Sequence, residues 1–175
     1  MLRHYEKYLQ TKCQVISIAG TYVYPIFKVG YTSLMEDADM VFSDVEISAC
    51  PETIIVLLRD PYARFQSGVD EYCKQNKKEF KDVYAKIKSR KLIDRHFMPQ
   101  YLWLLHLYKW HKGKVCLKSF EYIKEITHFH RRANEEHPTI EPINNFIKVD
   151  RLLMNNINRT VPLEEIIRKY DNVLS

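Results

Sequence analysis

The sequence predicts an α/β fold with a central parallel sheet, and the clearest observation is a buried strand that passes directly into a helix. Residues Ile54 to Leu58 form an unbroken apolar run, β-branched at its start, as is typical of a strand buried on both faces. The run stops at Arg59, and Pro61 suits the first turn of a helix. Apolar and aromatic side chains then recur at spacings of three and four, at Tyr62, Phe65, Val69 and Tyr72.

A second strand-turn-helix pattern supports the same fold class. The β-prone run Thr21 to Phe27 leads into Lys-x-Gly-x-Thr-Ser, which starts at Lys28. Gly30 allows the backbone to turn and to approach a ligand closely, and Thr32 and Ser33 can cap the following helix. Lys28 adds a full positive charge. The pattern therefore predicts an anion cradle, although its residue order is not that of a Walker A loop.

The two patterns together predict a bipartite phosphate site. Ligands of open α/β sheets bind at the carboxyl ends of the strands, where the sequence places Arg59. Ser67 lies one to two turns into the next helix, so an arginine and a hydroxyl are both available to a phosphate. Arg59 follows Lys28 by 31 positions, which leaves room for both units in one sheet.

Composition bounds the class of protein. A chain of 175 residues with 46% hydrophobic residues predicts one globular domain, residues 1–175. The net charge of +5 favours anionic partners, and a small polyanion explains it as well as nucleic acid does. The basic stretch Lys74 to Lys91 is interpreted as a solvated helix face, with an oligonucleotide surface as the alternative.

Neither a metal nor a membrane is expected as a partner. The four cysteines form no CxxC or Cys/His spacing, and His128 and His130 do not share a helix face. No apolar run approaches the roughly 20 residues that span a bilayer, and no secretory signal follows Met1. The expectation is a soluble, cytoplasmic chain with reduced thiols.

The other predicted elements frame these motifs. A short helix is predicted over Met1 to Thr11. Asp44 and Glu46 are close enough in sequence to share the sheet edge of Arg59, but each is interpreted first as a surface carboxylate. Further elements follow the central strand and helix: helices over Phe80 to Ile87, Tyr101 to Trp110 and Pro162 to Leu174, and a strand over Lys114 to Lys118. His96 precedes the buried helix in a loop, where ligand-facing side chains are common.

Four segments resemble the sulfotransferases that use 3′-phosphoadenosine 5′-phosphosulfate (PAPS), in particular the Golgi-type carbohydrate sulfotransferases. FKVGYTSL resembles their 5′-phosphosulfate loop, and LLRDPYARFQSGVDEY resembles their 3′-phosphate motif. RHFMPQYLWLL and VCLKSFEYIKEI are similar to later segments of that group. The resemblance extends over residues 22–130.

The resemblance implies a three-layer αβα architecture of the P-loop-NTPase-like sulfotransferase type, with a nucleotide-binding core over residues 21–130. It also implies transfer of a sulfuryl group from PAPS to a hydroxyl acceptor, with sugars among the candidate acceptors and no metal. The 5′-phosphosulfate would be held by Lys28, Gly30, Tyr31, Thr32 and Ser33. The 3′-phosphate would be held by Arg59 and Ser67.

Lys28 would neutralise charge on the leaving phosphate. Glu46 is the first choice for the base that activates the acceptor hydroxyl, and His96 is the alternative. A catalytically inactive protein that binds the nucleotide with the same fold is the alternative function. The acceptor and the oligomeric state are not specified by the sequence.

Overall fold

A computed structural model describes residues 11–89, 91–128 and 144–173, which form a mixed α/β fold around one six-stranded sheet. The strands are β1 (Gln14–Ile18), β2 (Thr21–Tyr24), β3 (Met40–Ser43), β4 (Thr53–Leu58), β5 (Lys114–Ser119) and β6 (Thr160–Pro162). Their order across the sheet is β3-β1-β2-β4-β5-β6. The α/β prediction is confirmed.

The sheet is parallel only at its centre. Strands β2, β4 and β5 are parallel neighbours, whereas β1 pairs antiparallel with both β2 and β3, and β6 pairs antiparallel with β5. The two-residue connection between β1 and β2 explains part of this difference, since so short a turn can join antiparallel strands only. The predicted parallel sheet is therefore a three-stranded core within a mixed sheet.

The helices largely follow the sequence pattern. They are α1 (Tyr31–Glu36), α2 (Pro61–Asn76), α3 (Phe80–Lys88), α4 (Gln100–Tyr108), α5 (Ile123–Ile126), α6 (Asn144–Leu153) and α7 (Leu163–Tyr170). Short 3-10 helices occupy Asp44–Ala49, Phe120–Tyr122 and Met154–Asn156. The predicted N-terminal helix and His130 lie outside the described residues. None of the helices described is both long and apolar enough to cross a bilayer.

The central strand and its helix have the predicted form. Ile54, Val56 and Leu58 are fully buried on one face of β4, and Leu57 on the other face is 1% exposed. Pro61 opens α2, and the Asp60 carboxylate caps it by accepting a hydrogen bond from the Ala63 N–H at 2.8 Å. A capped first turn immediately after the strand fixes where the Arg59 side chain begins.

Helix α4 is buried nearly all round, as its apolar sequence predicts. It lies over the sheet face that carries Tyr24, because the Tyr24 hydroxyl donates to the Trp103 carbonyl at 2.8 Å. A second hydroxyl, that of Tyr101, donates to the Ile167 carbonyl in α7 at 2.9 Å. These two bonds connect the sheet, α4 and α7 through polar groups that would otherwise be buried without partners.

Helix α2 also packs closely against the segment that precedes α4. A Cβ placed on Gly68 would lie 1.9 Å from the His96 carbonyl oxygen, a distance that no side chain tolerates. Phe65 and Val69 of the same helix share a hydrophobic cluster with Phe97. The missing side chain at Gly68 therefore brings the loop of His96 directly onto the helix that follows Arg59.

Candidate phosphate-binding site

The two predicted phosphate-binding segments meet at the carboxyl ends of adjacent parallel strands. Tyr24 of β2 pairs with Val56 of β4, so the loop after β2 emerges beside Arg59. The Arg59 guanidinium donates from Nη1 to the Lys28 carbonyl oxygen at 2.9 Å. Its Cζ atom also lies 5.5 Å from the centre of the Phe120 ring, at the end of β5. Groups from all three parallel strand ends therefore converge on one guanidinium.

The loop that contains Lys28 is longer than the sequence predicts. Strand β2 ends at Tyr24 and not at Phe27, because Pro25 has no N–H with which to continue the ladder. The chain then passes through positive φ at Lys28 (66°) and again at Gly30 (71°). At Gly30 a Cβ would also lie 2.1 Å from Ile123 Cδ1, the end of a side chain that can move, so the positive φ is the stronger reason for glycine there.

Helix α1 begins at Tyr31, before both residues that were predicted to cap it. Gly30 is the N-cap, while Thr32 and Ser33 lie inside the first turn. Within the described part of the chain, neither hydroxyl has a hydrogen-bond partner, nor does the Lys28 ammonium. Tyr31 turns away toward β1, where its hydroxyl lies 3.4 Å from Gln14 Oε1. Among the described residues, the Lys28 ammonium and the Thr32 and Ser33 hydroxyls therefore make no hydrogen bond that a ligand would have to break.

A buried arginine that the sequence analysis missed stabilises this loop. Arg64, 2% exposed, donates from Nε to the Phe27 carbonyl at 3.1 Å, from Nη1 to the Met98 carbonyl, and from Nη2 to the Arg95 carbonyl at 3.4 Å. Burial lowers the pKa of Arg64 to about 10, which still leaves it charged at neutral pH. Arg64 therefore acts as a structural clamp between the Lys28 loop and the segment before α4.

Ser67 is placed differently from what a solvent-exposed phosphate ligand requires. Its side chain is 2% exposed, and its Oγ has no hydrogen-bond partner in the parts of the chain described. A buried hydroxyl without a partner is uncommon, because it loses its bonds to water and gains none in return. The Ser67 hydroxyl is therefore closed to solvent in the described conformation.

A polar relay holds the backbone of Arg59. The Gln100 side chain accepts from the Arg59 N–H at 2.9 Å and donates to the Arg59 carbonyl at 3.0 Å. Asp150 of α6 in turn accepts from the backbone N–H groups of Gln100 at 2.7 Å and of Tyr101 at 3.0 Å. Burial raises the pKa of Asp150 to about 6, against the opposing effects of Arg64 and these hydrogen bonds.

His96, one of the two base candidates, lies beside the Lys28 loop. Its ring is 5.3 Å from the ring of Phe27, the residue before Lys28. Its Nδ1 and its backbone N–H both contact Asp94 Oδ1, so Asp94 orients the imidazole. Burial acts to raise the pKa of Asp94, but the hydrogen bonds from His96 outweigh it and the net shift is downward. Asp94 and His96 therefore form an aspartate-histidine pair beside the Lys28 loop.

Glu46, the other candidate, is at the same sheet edge but farther away. It follows β3, which is separated from β2 by β1, so the lateral offset is roughly 10 Å at about 4.8 Å per strand. The exposed carboxylate accepts from the Ser43 N–H at 3.1 Å and closes a capping box. Asp44 likewise accepts from the Cys13 N–H at 2.9 Å. Both acidic groups have local structural roles.

Sequence reasoning missed four residues that hold Arg59, His96 and the Lys28 loop in place: Arg64, Asp94, Gln100 and Asp150. Two had a local signal, since Arg64 lies inside the motif of Arg59 and Asp94 is two positions before His96. Gln100 and Asp150 had none, because their partners are 41 and 50 positions away along the chain. Among the residues described, no group of three or more histidine, cysteine or acidic side chains is arranged to hold a metal ion.

Comparison with known proteins adds no relative. No protein-family model, no curated protein and no solved structure matches this chain.

Proposed function

We propose that this protein is a PAPS-dependent sulfotransferase that transfers the sulfuryl group to a hydroxyl acceptor. The observation that carries the proposal is the hydrogen bond from Arg59 to the Lys28 carbonyl, which joins the two segments resembling the family's nucleotide motifs. It supports the proposal because a nucleotide with phosphates at both ends needs two cationic segments at one sheet edge. Under this proposal the sheet and its helices form a P-loop-NTPase-like sulfotransferase fold.

In this function Arg59 binds the 3′-phosphate, and the Lys28 loop binds the 5′-phosphosulfate. The ammonium of Lys28 and the hydroxyls of Thr32 and Ser33 offset the negative charge that develops on the leaving phosphate. Tyr31 and Gly30 contribute through the shape of the loop. Arg59 fixes the position of the donor and takes no part in bond making.

His96 is the proposed general base, in preference to Glu46. Its Nδ1 is held by Asp94, which leaves Nε2 to accept a proton, whereas the Glu46 carboxylate is used in its own cap. The acceptor oxygen attacks sulfur as the bond from sulfur to the 5′-phosphate oxygen breaks. The acceptor proton passes to His96, and adenosine 3′,5′-bisphosphate leaves.

A binding experiment with two matched nucleotides tests the donor site. Adenosine 3′,5′-bisphosphate and adenosine 5′-monophosphate differ only in the 3′-phosphate, so the ratio of their affinities isolates that group. Wild type should bind the bisphosphate at least tenfold more tightly, and Arg59→Ala should remove most of this preference. Arg168→Ala, which changes an exposed arginine on α7, is the matched control and should retain it. Equal affinities in wild type would reject the proposed site.

A transfer assay then separates an enzyme from a binding protein. Radiolabelled PAPS is incubated with mono- and oligosaccharides, phenols and alcohols, and the label in the acceptor is counted. Transfer that disappears in His96→Ala, with bisphosphate binding unchanged, supports the proposed reaction. Tight bisphosphate binding without transfer to any acceptor would support the inactive nucleotide-binding alternative.

A further inference from the structure

A second basic site lies at the far end of α2, away from the proposed donor site. Its walls come from three segments: the C-terminal end of α2 with the turn that follows, helix α3, and residues 91–92. The cavity has a volume of about 220 Å³. It is lined by Tyr72, Lys78, Asp82, Val83, Lys86, Lys91 and Leu92. Tyr72 follows Arg59 by 13 positions, roughly 20 Å at about 1.5 Å per helical residue.

Three lysines converge on this cavity from different segments. Lys78 follows α2, Lys86 lies near the end of α3, and Lys91 is held beside it by a hydrogen bond from the Lys91 N–H to the Lys86 carbonyl at 2.9 Å. With Asp82 the lining has a formal charge of +2. Among the described residues, none of these lysines forms an ion pair, although Asp82 lines the same cavity. The charge is therefore concentrated and not neutralised.

The floor of the cavity is apolar and firmly supported. Tyr72 packs edge-on against Phe97, with ring centres 5.8 Å apart, and Val83 and Leu92 belong to the same hydrophobic cluster. A solvated helix face would carry its lysines along one helix, whereas these three lysines come from three segments and line the same cavity as Tyr72. An aromatic floor beneath cationic groups suits a ligand with one flat apolar face and one anionic group.

We propose that this cavity binds an anionic sugar, a monosaccharide unit that carries a sulfate or phosphate ester. The ring would lie on Tyr72 and Leu92, and the ester would accept charge-assisted hydrogen bonds from Lys78, Lys86 and Lys91. The cavity volume of about 220 Å³ lies below the usual range of ligand pockets, so the proposed ligand is a single sugar unit. The site does not depend on the sulfotransferase proposal.

The test measures binding of glucose 6-sulfate and glucose 6-phosphate by chemical-shift changes in backbone amides, with glucose and inorganic phosphate as the two halves of the ligand. We expect either ester to shift the amides of Lys78, Lys86 and Lys91 and to bind at least tenfold more tightly than either half alone. If glucose binds as tightly as the esters do, the lysines contribute nothing to affinity and the proposed ester contacts are wrong. Equally tight binding of inorganic phosphate would show that the sugar ring contributes nothing to affinity, and would reject a sugar as the ligand. No shift at 20 mM ester, on the order of the weakest useful affinity, would overturn the site.

Two sets of substitutions separate this site from general charge attraction. The variant Lys78→Gln/Lys86→Gln/Lys91→Gln should bind the esters at least tenfold more weakly. The control Lys109→Gln/Lys112→Gln/Lys169→Gln loses the same charge from lysines outside the cavity lining and should bind as wild type does. Equal weakening in both sets would show a nonspecific attraction and reject the proposal. Arg59→Ala should leave ester binding unchanged, so failure of the donor site and failure of this site are distinguishable.

Discussion

The side chain of Gln100 hydrogen-bonds both backbone groups of Arg59, accepting from its N–H at 2.9 Å and donating to its carbonyl at 3.0 Å. These groups stand at the end of β4, where the strand ladder stops and no helix has yet begun, so a side chain must satisfy them. Gln100 is itself fixed at the first position of α4 by Asp150. Contacts from distant parts of the chain therefore set the starting point of the Arg59 side chain.

Gln100→Leu should destabilise the protein and displace Arg59. The substitution keeps a similar volume but leaves a part-buried N–H and carbonyl without their side-chain partner, at a cost of about 2 kcal/mol in the free energy of unfolding. Urea denaturation measures the change. Gln75→Leu is the control, since Gln75 is exposed on α2 and donates a hydrogen bond to the Glu71 carboxylate, and it should alter stability by less than about 0.5 kcal/mol. Similar effects of the two substitutions would contradict a structural role for Gln100.

Ser67→Ala should separate stability from ligand binding. Removal of a buried hydroxyl that has no described partner should raise the free energy of unfolding by up to about 1 kcal/mol. If the hydroxyl meets the 3′-phosphate, the same variant should bind adenosine 3′,5′-bisphosphate several-fold more weakly while its affinity for the 5′-monophosphate is unchanged. Thermal unfolding and calorimetric titration of one preparation give both values. A destabilised variant with unchanged nucleotide affinity would show that Ser67 serves packing only.

Asp94→Asn should weaken the pair with His96 in a pH-dependent way. The pKa of Asp94 is lowered in the folded protein, so the charged carboxylate stabilises the fold above its unfolded-state pKa, and this stabilisation is lost as pH falls through the folded-state pKa. Wild type should therefore be more stable than Asp94→Asn at pH 7, and the difference should shrink as acid protonates the carboxylate in the folded protein. Urea denaturation across this range measures the difference. A constant difference would mean that the charge of Asp94 contributes nothing.

Gly68→Ala should destabilise the protein. The added methyl group would meet the His96 carbonyl, a backbone atom that cannot rotate away, so α2 or the His96 loop must move. We expect a loss of about 2 to 3 kcal/mol, as for overpacked cores. Ala63→Gly in the same helix, near its N-terminus, is the control for backbone entropy and should cost about 1 kcal/mol. A Gly68→Ala variant as stable as wild type would refute the close packing.

The sequence predicted those parts of the fold in which neighbours along the chain determine structure. The apolar run before Arg59, the proline at the start of α2 and the apolar circumference of α4 each depend on local periodicity or backbone chemistry, and each prediction is confirmed. The mixed character of the sheet was not predicted, because pairing across strands leaves little trace in the residues of one strand.

The candidate site also combines residues that local patterns predicted with residues that such patterns did not reveal. Lys28 and Arg59 stand in recognisable local patterns, and the structure brings their segments into contact. The groups that hold them in place, Arg64, Gln100 and Asp150, act on carbonyls and amides of remote residues. Every residue has a backbone carbonyl, and nearly every residue has an N–H, so the fold alone decides which of them a side chain meets. A sequence pattern therefore does not reveal such bonds.

The buried carboxyl of Asp150 supports Gln100, which in turn holds the backbone of Arg59, so its ionisation should affect stability. Burial raises its folded-state pKa to about 6, about two units above the value of 3.8 in water, so the folded state holds this proton more tightly than the unfolded state. The stabilisation from Asp150 is complete below about pH 4 and is lost as pH rises through about 6. Two units correspond to about 3 kcal/mol.

Asp150→Asn removes this titration and isolates it from every other group. The stability of wild type relative to Asp150→Asn should fall by about 3 kcal/mol between pH 4 and pH 7, measured by urea denaturation at each pH. Asp171→Asn, at an exposed position after α7, should show no such change in its difference from wild type. If wild type instead gains stability relative to Asp150→Asn as pH rises, the two N–H groups of α4 and the nearby Arg64 charge outweigh burial, and Asp150 holds Gln100 as a carboxylate throughout.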